Sequence, residues 1–220
     1  RVNKISGELG KTPPKIDVYS NYKDLLARTD IDAVVIASPD HWHALMAIDA
    51  CKAGKDIYLE KPLTLTIHEG QELVKAVRSN GTVLAVGSQQ RSDVNFQHAA
   101  RMVLKGRIGK VKQVLVHVGQ PEHPVPYDLE KQEIPAGLDW KTWLGPLPTL
   151  HYNEKLNPPI SLEPEQNEKL WGAWRSYKET GGGYMTDWGA HMFDIAQWGL
   201  GMDRSGPIKV IPAKDGKPLT

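Results

Sequence analysis

Apolar and polar residues alternate in blocks along residues 1–90, in an order that predicts strands separated by helices. The uninterrupted apolar run at residues 33–37 (AVVIA) is typical of a strand in a sheet that is covered on both faces. The other predicted strands are residues 16–19, 57–59 and 83–86, and the predicted helices are residues 22–28, 41–53 and 66–79. This order predicts a parallel sheet with right-handed crossovers.

Three polar segments follow three of these strands directly. They are residues 38–40 (SPD), 60–62 (EKP) and 87–91 (GSQQR). Ligands of parallel sheets bind beyond the carboxyl ends of the strands. The sequence therefore predicts a binding site at this edge of the sheet.

The pattern changes after Arg91, which favours a second domain. A helix is predicted at residues 93–105 and a strand-like alternation at residues 111–118, and residues 120–171 form a long Pro-rich stretch. A further helix is predicted at residues 187–199, capped by Thr186 or Asp187, and residues 208–211 begin a possible strand. We divide the chain into residues 1–90 and 91–220 on this basis.

Glu60, Lys61 and Pro62 have residue types suited to chemistry at a strand end. A lysine can hold a substrate hydroxyl or transfer its proton, and a neighbouring glutamate can keep it charged. Pro62 has no N–H and ends the strand. On these three residues alone, a solvated ion pair is the commoner explanation.

Asp187 and His191 are four residues apart, so they share one face of the predicted helix. An aspartate near the positive helix end stays ionised, and a histidine titrates near neutrality, which suits a general base. A capping aspartate beside a structural histidine is the simpler explanation of this helix alone.

Composition excludes few functions. The 220 residues carry 27 basic and 26 acidic side chains, so charge gives no reason to expect binding to nucleic acid or to an anionic membrane. A metal site from His41, His43, Asp187 and His191 is a weak alternative, since His41 and His43 do not share a helix face and we interpret His41 as a surface or capping residue. We therefore predict no metal.

Four motifs in this order resemble the Gfo/Idh/MocA family of oxidoreductases. They lie at residues 33–43, 60–62, 87–91 and 187–191, and residues 140–145 (WKTWLG) with the triple glycine at 181–183 resemble a bacterial subgroup with a Trp-rich second domain. The resemblance implies a partial Rossmann-type parallel sheet followed by part of an α/β (α+β) domain with an open sheet that often forms homo-oligomers. It leaves cytoplasmic and periplasmic localisation both open.

The same resemblance implies NAD or NADP as cofactor and a sugar or cyclic polyol as substrate. By motif, Lys61 corresponds to the lysine near the nicotinamide, Asp187 to the substrate-positioning acid and His191 to the general acid/base. The positions that match cofactor-lining residues are Ser38, Pro39, His43, Glu60, Lys61 and Gln89. It also suggests that the Lys61–Pro62 peptide bond is cis.

One family feature is missing from the sequence. No G-x-G-x-x-G turn occurs, so we interpret the chain as an internal fragment. We expect it to bind the dinucleotide weakly or not at all and to be inactive alone. Three hypotheses are compatible with the motifs: a dehydrogenase, a redox-neutral NAD-dependent glycosidase or lyase, and a non-catalytic sugar-binding relative. The intact lysine motif favours the dehydrogenase.

Overall fold

The structure is a computed structural model, and it describes residues 2–119, 124–158 and 172–211. Its contacts divide the chain into two compact units, one of Arg1–Gly87 with Gly119–Trp188 and one of Ser88–Val118 with Gly189–Thr220. The helices are α1 Val2–Glu8, α2 Tyr22–Leu26, α3 Asp40–Lys52, α4 Ile67–Asn80, α5 Val94–Leu104, α6 Trp140–Leu144 and α7 Gly183–Gly199, and the strands are β1 Ala33–Ile36, β2 Asp56–Glu60 and β3 Leu84–Gly87.

The first unit is built on a three-stranded parallel sheet in the order β1-β2-β3. Ile36 is opposite Leu59, and Glu60 is opposite Gly87, so the three strands end close to one edge. This confirms the predicted parallel sheet and places residues 38–40 and 60–62 after neighbouring strands.

Helices α3 and α4 connect the strands, and local sequence sets their ends. The Thr66 side chain accepts a hydrogen bond from the Glu69 N–H, and the Glu69 carboxylate accepts one from the Thr66 N–H. This capping box satisfies two donors that a helix start otherwise leaves open. Gly81 ends α4 with φ of 65°, a left-handed conformation that glycine adopts without strain.

The core of the first unit lies between the sheet and these helices. Leu59 from β2 and Cys51 from α3 are fully buried, and Leu73 from α4 is 2% exposed. Burying a leucine side chain contributes about 1.5–3 kcal/mol. This core anchors the end of β2, where Lys61 follows.

A second apolar cluster in the same unit is aromatic. Trp140 and Trp143 of α6 stack with ring centroids 4.6 Å apart, and Tyr152 meets Trp140 edge-on at 5.3 Å. Leu156 and Tyr177 complete the buried part of the cluster. Four of the aromatic residues between 140 and 177 are therefore accounted for by packing in this cluster.

The second unit contains a 3₁₀ turn at Gln89–Ser92, helix α5 and most of α7. Arg91 donates two hydrogen bonds of 2.7 Å to the carboxylate of Asp194 and one of 2.8 Å to Asp203. Its guanidinium also lies 5.4 Å from the ring centroid of Trp198. Arg91 therefore ties the start of this unit to its last helix.

Several predicted elements differ in the structure. Residues 16–19 and 111–118 are not strands, because no strand among the described residues pairs with them, and Val18 is 88% exposed. Residues 208–211 are also irregular, and residues 212–220 lie outside the described part of the chain. Val35 of β1 is 73% exposed, so the expectation of a sheet covered on both faces is wrong at this strand.

Helix α7 begins earlier than predicted. It starts at Gly183, where φ is 70°, so Thr186 and Asp187 lie inside the helix and are not its caps. The Thr186 hydroxyl instead donates to the Gly183 carbonyl at 3.3 Å. Within the described residues, no helix is both long and apolar enough to cross a membrane.

Candidate functional site

Lys61 and Asp187 form an ion pair in the first unit. The Lys61 ammonium donates to Asp187 Oδ1 and, at 3.3 Å, to the Asp187 carbonyl oxygen. The two side chains are only 18% and 6% exposed. The structure therefore brings together two residues, Lys61 and Asp187, that the resemblance assigns to one site.

The second carboxylate oxygen of Asp187 has a different environment. Oδ2 is buried and, among the described residues, has no hydrogen-bond partner. The Nε of Arg175 lies 3.8 Å from Oδ2, too far for a hydrogen bond. An unmet buried acceptor costs about 1–3 kcal/mol, so Oδ2 would gain from a ligand that donates.

Arg175 is held beside this carboxylate by its neighbours. Its guanidinium carbon lies 4.1 Å from the centroid of the Trp174 ring, and Nη1 lies 3.3 Å from the Gly172 carbonyl oxygen. Burial lowers the pKa of Arg175, while the charges of Asp187 and Asp40 act in the opposite direction. Stacking on the indole leaves the edge of the guanidinium directed at acceptors.

Asp40 adds a second acid to this group. It is the first residue of α3 and is 4% exposed. Burial first, and the charge of Asp187 second, raise the pKa of Asp40 to about 7, against the opposing charges of Arg175 and Lys61. Asp40 therefore titrates near neutral pH in the environment of the Lys61–Asp187 pair.

Glu60 holds the backbone of Lys61 and not its ammonium. Its Oε2 accepts a hydrogen bond of 3.2 Å from the Lys61 N–H. A Cβ placed on Gly87 would lie 2.9 Å from this carboxylate and 3.0 Å from the Glu60 Cα, so a larger residue at position 87 would force Glu60 to shift. The Lys61–Pro62 peptide bond is cis, as the sequence suggested.

Two histidines of α3 are buried, each 1% exposed. His41 Nε2 lies 2.9 Å from the Trp143 carbonyl oxygen, so the interpretation of His41 as a surface or capping residue is wrong. Both ring nitrogens of His43 face carbonyl oxygens, those of Pro62 and Ser38. The pKa values of both histidines are lowered, first by burial.

A cavity of about 1080 Å³ opens beside the end of β1 and is the place to test the predicted cofactor contacts. Ser38 and Pro39 line it, together with Trp42 and Trp143. The Ser38 hydroxyl is buried and has no hydrogen-bond partner in the described part of the chain. Ser38 and Pro39 thus lie together at this cavity, whereas His43 and Glu60 are not among the residues that line it. The cofactor contacts of all four residues stay predictions.

The two remaining predicted site residues belong to the second unit. His191 is 5% exposed and lies one helical turn after Asp187 on α7. Gln89 is exposed at the start of the 3₁₀ turn. Their roles as general base and cofactor contact stay predictions.

Sequence reasoning missed two members of the charged group. Asp40 has the sequence appearance of an ordinary acid in the first turn of a helix, and Arg175 lies in an irregular segment. Signals were present in the sequence. Asp40 belongs to one of the three polar segments that follow the predicted strands, and Arg175 lies between the two segments that resemble the Trp-rich subgroup, residues 140–145 and 181–183. Both residues are unusual because they are buried, and burial depends on tertiary contacts that local sequence does not reveal.

Comparison with known proteins identifies the family. The sequence model described as "Oxidoreductase family, NAD-binding Rossmann fold" matches residues 9–88, and the one described as "Oxidoreductase family, C-terminal alpha/beta domain" matches residues 123–217. The chain belongs to the Gfo/Idh/MocA oxidoreductase family, and its first region matches the NAD-binding Rossmann fold of that family, which agrees with the predicted cofactor, NAD or NADP.

Individual relatives are similar over part of their length. The chain is 36% identical to scyllo-inositol 2-dehydrogenase (NAD(+)) of Bacillus subtilis, over 50% of this chain and 31% of that protein. It is 33% identical to glycosyl hydrolase family 109 protein 1 of Shewanella sp. (strain ANA-3), over 59% of this chain and 28% of that protein.

One solved structure extends over most of the chain. An NAD-binding protein from Listeria innocua matches with a TM-score of 0.51 and 22% identity, over 88% of this chain and 41% of that one, which supports the fold alone. The chain spans about a third of the length of the curated relatives it matches.

Proposed function

We propose that the protein is an NAD(P)-dependent dehydrogenase that oxidises a ring hydroxyl of a sugar or cyclic polyol. The observation that carries the proposal is the buried Lys61–Asp187 pair with its unsatisfied Oδ2. A hydroxyl both accepts and donates a hydrogen bond. The reacting hydroxyl can therefore accept from Lys61, while a neighbouring hydroxyl of the same ring donates to Asp187 Oδ2.

The reaction needs a proton acceptor and a hydride acceptor. In the proposal His191 takes the hydroxyl proton, Lys61 holds the hydroxyl oxygen, and Asp187 keeps Lys61 charged and directed. When bound, the nicotinamide supplies the hydride chemistry. Ser38 and Pro39 would hold part of the dinucleotide in the cavity that they line.

Arg175 and Asp40 support the same carboxylate. Arg175 contributes positive charge next to Asp187 Oδ2, with Nε 3.8 Å from that oxygen. Asp40, with its pKa near 7, carries less than a full negative charge at neutral pH. Repulsion between the carboxylates of Asp40 and Asp187 therefore does not dominate this cluster of charges.

The test measures turnover and stability on the same variants, expressed from the complete reading frame. Lys61→Ala and His191→Ala should each reduce NAD(P)H formation with cyclic polyols and sugars by about 10²–10⁴-fold, with little change in melting temperature.

Lys55 supplies the matched control. Its ammonium is also buried, and it donates 2.7 Å hydrogen bonds to the carbonyl oxygens of Arg28 and Ile31. Lys55→Ala should lower the melting temperature and leave turnover unchanged. Wild-type turnover in Lys61→Ala, together with a lowered melting temperature, would contradict the catalytic assignment.

A redox-neutral glycosidase is the second candidate, and the similarity to a family 109 glycosyl hydrolase favours it. Such an enzyme oxidises and re-reduces its substrate, so no net NADH accumulates. Hydrolysis of a glycoside without NADH accumulation would select this candidate. Sugar binding with neither reaction would indicate a non-catalytic relative.

A further inference from the structure

His43 joins the two loops that follow β1 and β2. It is the fourth residue of α3, and its side chain is buried. Nδ1 lies 2.7 Å from the Pro62 carbonyl oxygen, and Nε2 lies 2.8 Å from the Ser38 carbonyl oxygen. One imidazole ring therefore spans the carboxyl ends of two neighbouring parallel strands.

We propose that His43 is a positioning residue that fixes Lys61 in register with Asp187, an inference that rests on the proposed role of Lys61 in the reaction. The Lys61 backbone is held on two sides. Glu60 Oε2 accepts from its N–H, and His43 binds the carbonyl of the next residue, Pro62. A lysine side chain is long and flexible, so a fixed backbone restricts where its ammonium can go.

The support for His43 is itself rigid. Ala47, Ala50 and Cys51 of α3 are fully buried in the core of the first unit. Because α3 is packed into the core, a side chain in its first turn holds the loops that it contacts in a fixed position relative to the core. The geometry thus links Lys61 to the sheet through hydrogen bonds that do not involve the substrate.

The chemistry of the bridge is unusual for a histidine. Carbonyl oxygens only accept, so a neutral ring donates to one of the two carbonyls and only the imidazolium form donates to both. Burial, which is the largest effect, and the charge of Lys61 lower the pKa of His43, against the two carbonyls and the charge of Glu60. Burial likewise lowers the pKa of His41, the neighbouring titratable group on α3. The lowered pKa of His43 favours the neutral ring, which donates to one loop and packs against the carbonyl of the other.

His43→Leu removes the bridge and keeps an apolar side chain. In the protein expressed from its complete reading frame, we expect turnover to fall about 10–100-fold, since small displacements of a reacting group cost up to about 10²-fold. His41→Leu is the control, because His41 is equally buried but bonds to Trp143. It should lose stability to a similar degree and keep the wild-type kcat and KM.

A double variant separates positioning from general destabilisation. If His43 acts through Lys61, His43→Leu combined with Lys61→Ala should be no slower than Lys61→Ala alone. If the double variant turns over more slowly than Lys61→Ala by the full factor that His43→Leu shows alone, the inference is overturned.

A spectroscopic readout does not depend on activity. Reductive ¹³C-methylation keeps the lysine charge, and the resonance of Lys61 is assigned by its absence in Lys61→Ala. We expect His43→Leu to move this resonance toward those of exposed lysines, and His41→Leu to leave it in place. An unmoved resonance in His43→Leu, or an equal move in both variants, overturns the positioning role.

The two proposals fail differently. If Lys61→Ala keeps wild-type turnover while the Lys61 resonance still moves in His43→Leu, the proposed function is wrong and the positioning role stands. If His43→Leu does not fold, His43→Gln, which keeps a donor for one carbonyl, takes its place with the same expected direction of both readouts.

Discussion

Replacing Asp40 by asparagine should stabilise the protein relative to wild type, and this gain in the free energy of unfolding should grow as the pH rises. The folded protein raises the pKa of Asp40 to about 7 from an ordinary value of 3.8, because the carboxyl is buried beside Asp187. The folded state therefore binds more protons than the unfolded state between these two values. Stability is lost as the pH rises through this window, and the loss is complete above the folded pKa.

The size of the effect follows from the shift. One pKa unit corresponds to 1.36 kcal/mol, so a shift of about three units corresponds to about 4 kcal/mol in total. Between pH of about 4.5 and about 8, roughly 3 kcal/mol of this difference should develop. Asparagine has nearly the same shape and no charge, so the stability of Asp40→Asn should not include this pH-dependent loss.

The assay is urea unfolding of wild type and Asp40→Asn across this pH range. The free energy of unfolding of the variant minus that of wild type should grow by roughly 3 kcal/mol from the acidic to the alkaline end. The control is Asp30→Asn, since Asp30 is exposed and its hydrogen bond to Arg28 lowers its pKa to about 2. Asp30 is therefore ionised in the folded and the unfolded state throughout this range, and the curve of Asp30→Asn should run parallel to that of wild type. Parallel pH curves for wild type and Asp40→Asn would refute the reasoning.

Two further predictions concern the scaffold of the site. Leu59→Ala should reduce the free energy of unfolding by about 2–5 kcal/mol, because Leu59 is fully buried at the centre of the sheet, and denaturant unfolding measures it. Gly87→Ala should cost about 1–3 kcal/mol by the same measurement, since its Cβ would lie 3.0 Å from the Glu60 backbone; an unchanged midpoint would show that Glu60 can move aside.

The sequence predicted those elements whose signals are local. The Thr66–Glu69 capping box and Gly81 mark α4 to within a residue, because both act through hydrogen bonds and dihedral angles of neighbouring residues. The three paired strands also followed from short apolar runs. The predicted start of α7 at residue 187 is wrong, because glycine is a poor helix former and yet the helix begins at Gly183.

The failures involve partners distant in the chain. Residues 16–19 and 111–118 have strand-like composition, but a strand forms only when another strand supplies its hydrogen bonds. The burial of Asp40 and of His41 likewise depends on what packs over α3, which periodicity does not report. At the site, the resemblance indicated Lys61 and Asp187, and the structure added the charges around them.

The unequal hydrogen bonding of Asp187 has a consequence for the proposed reaction. Oδ1 is bound to Lys61, whereas Oδ2 lacks a donor within the described residues. In the proposal the reacting hydroxyl gives its single proton to His191, so the donor to Oδ2 is a neighbouring hydroxyl of the same ring. A substrate that lacks this neighbouring hydroxyl leaves a buried acceptor unsatisfied, at a cost of about 1–3 kcal/mol. On the proposed function, a deoxy analogue at that neighbouring position should therefore bind more weakly than the full polyol.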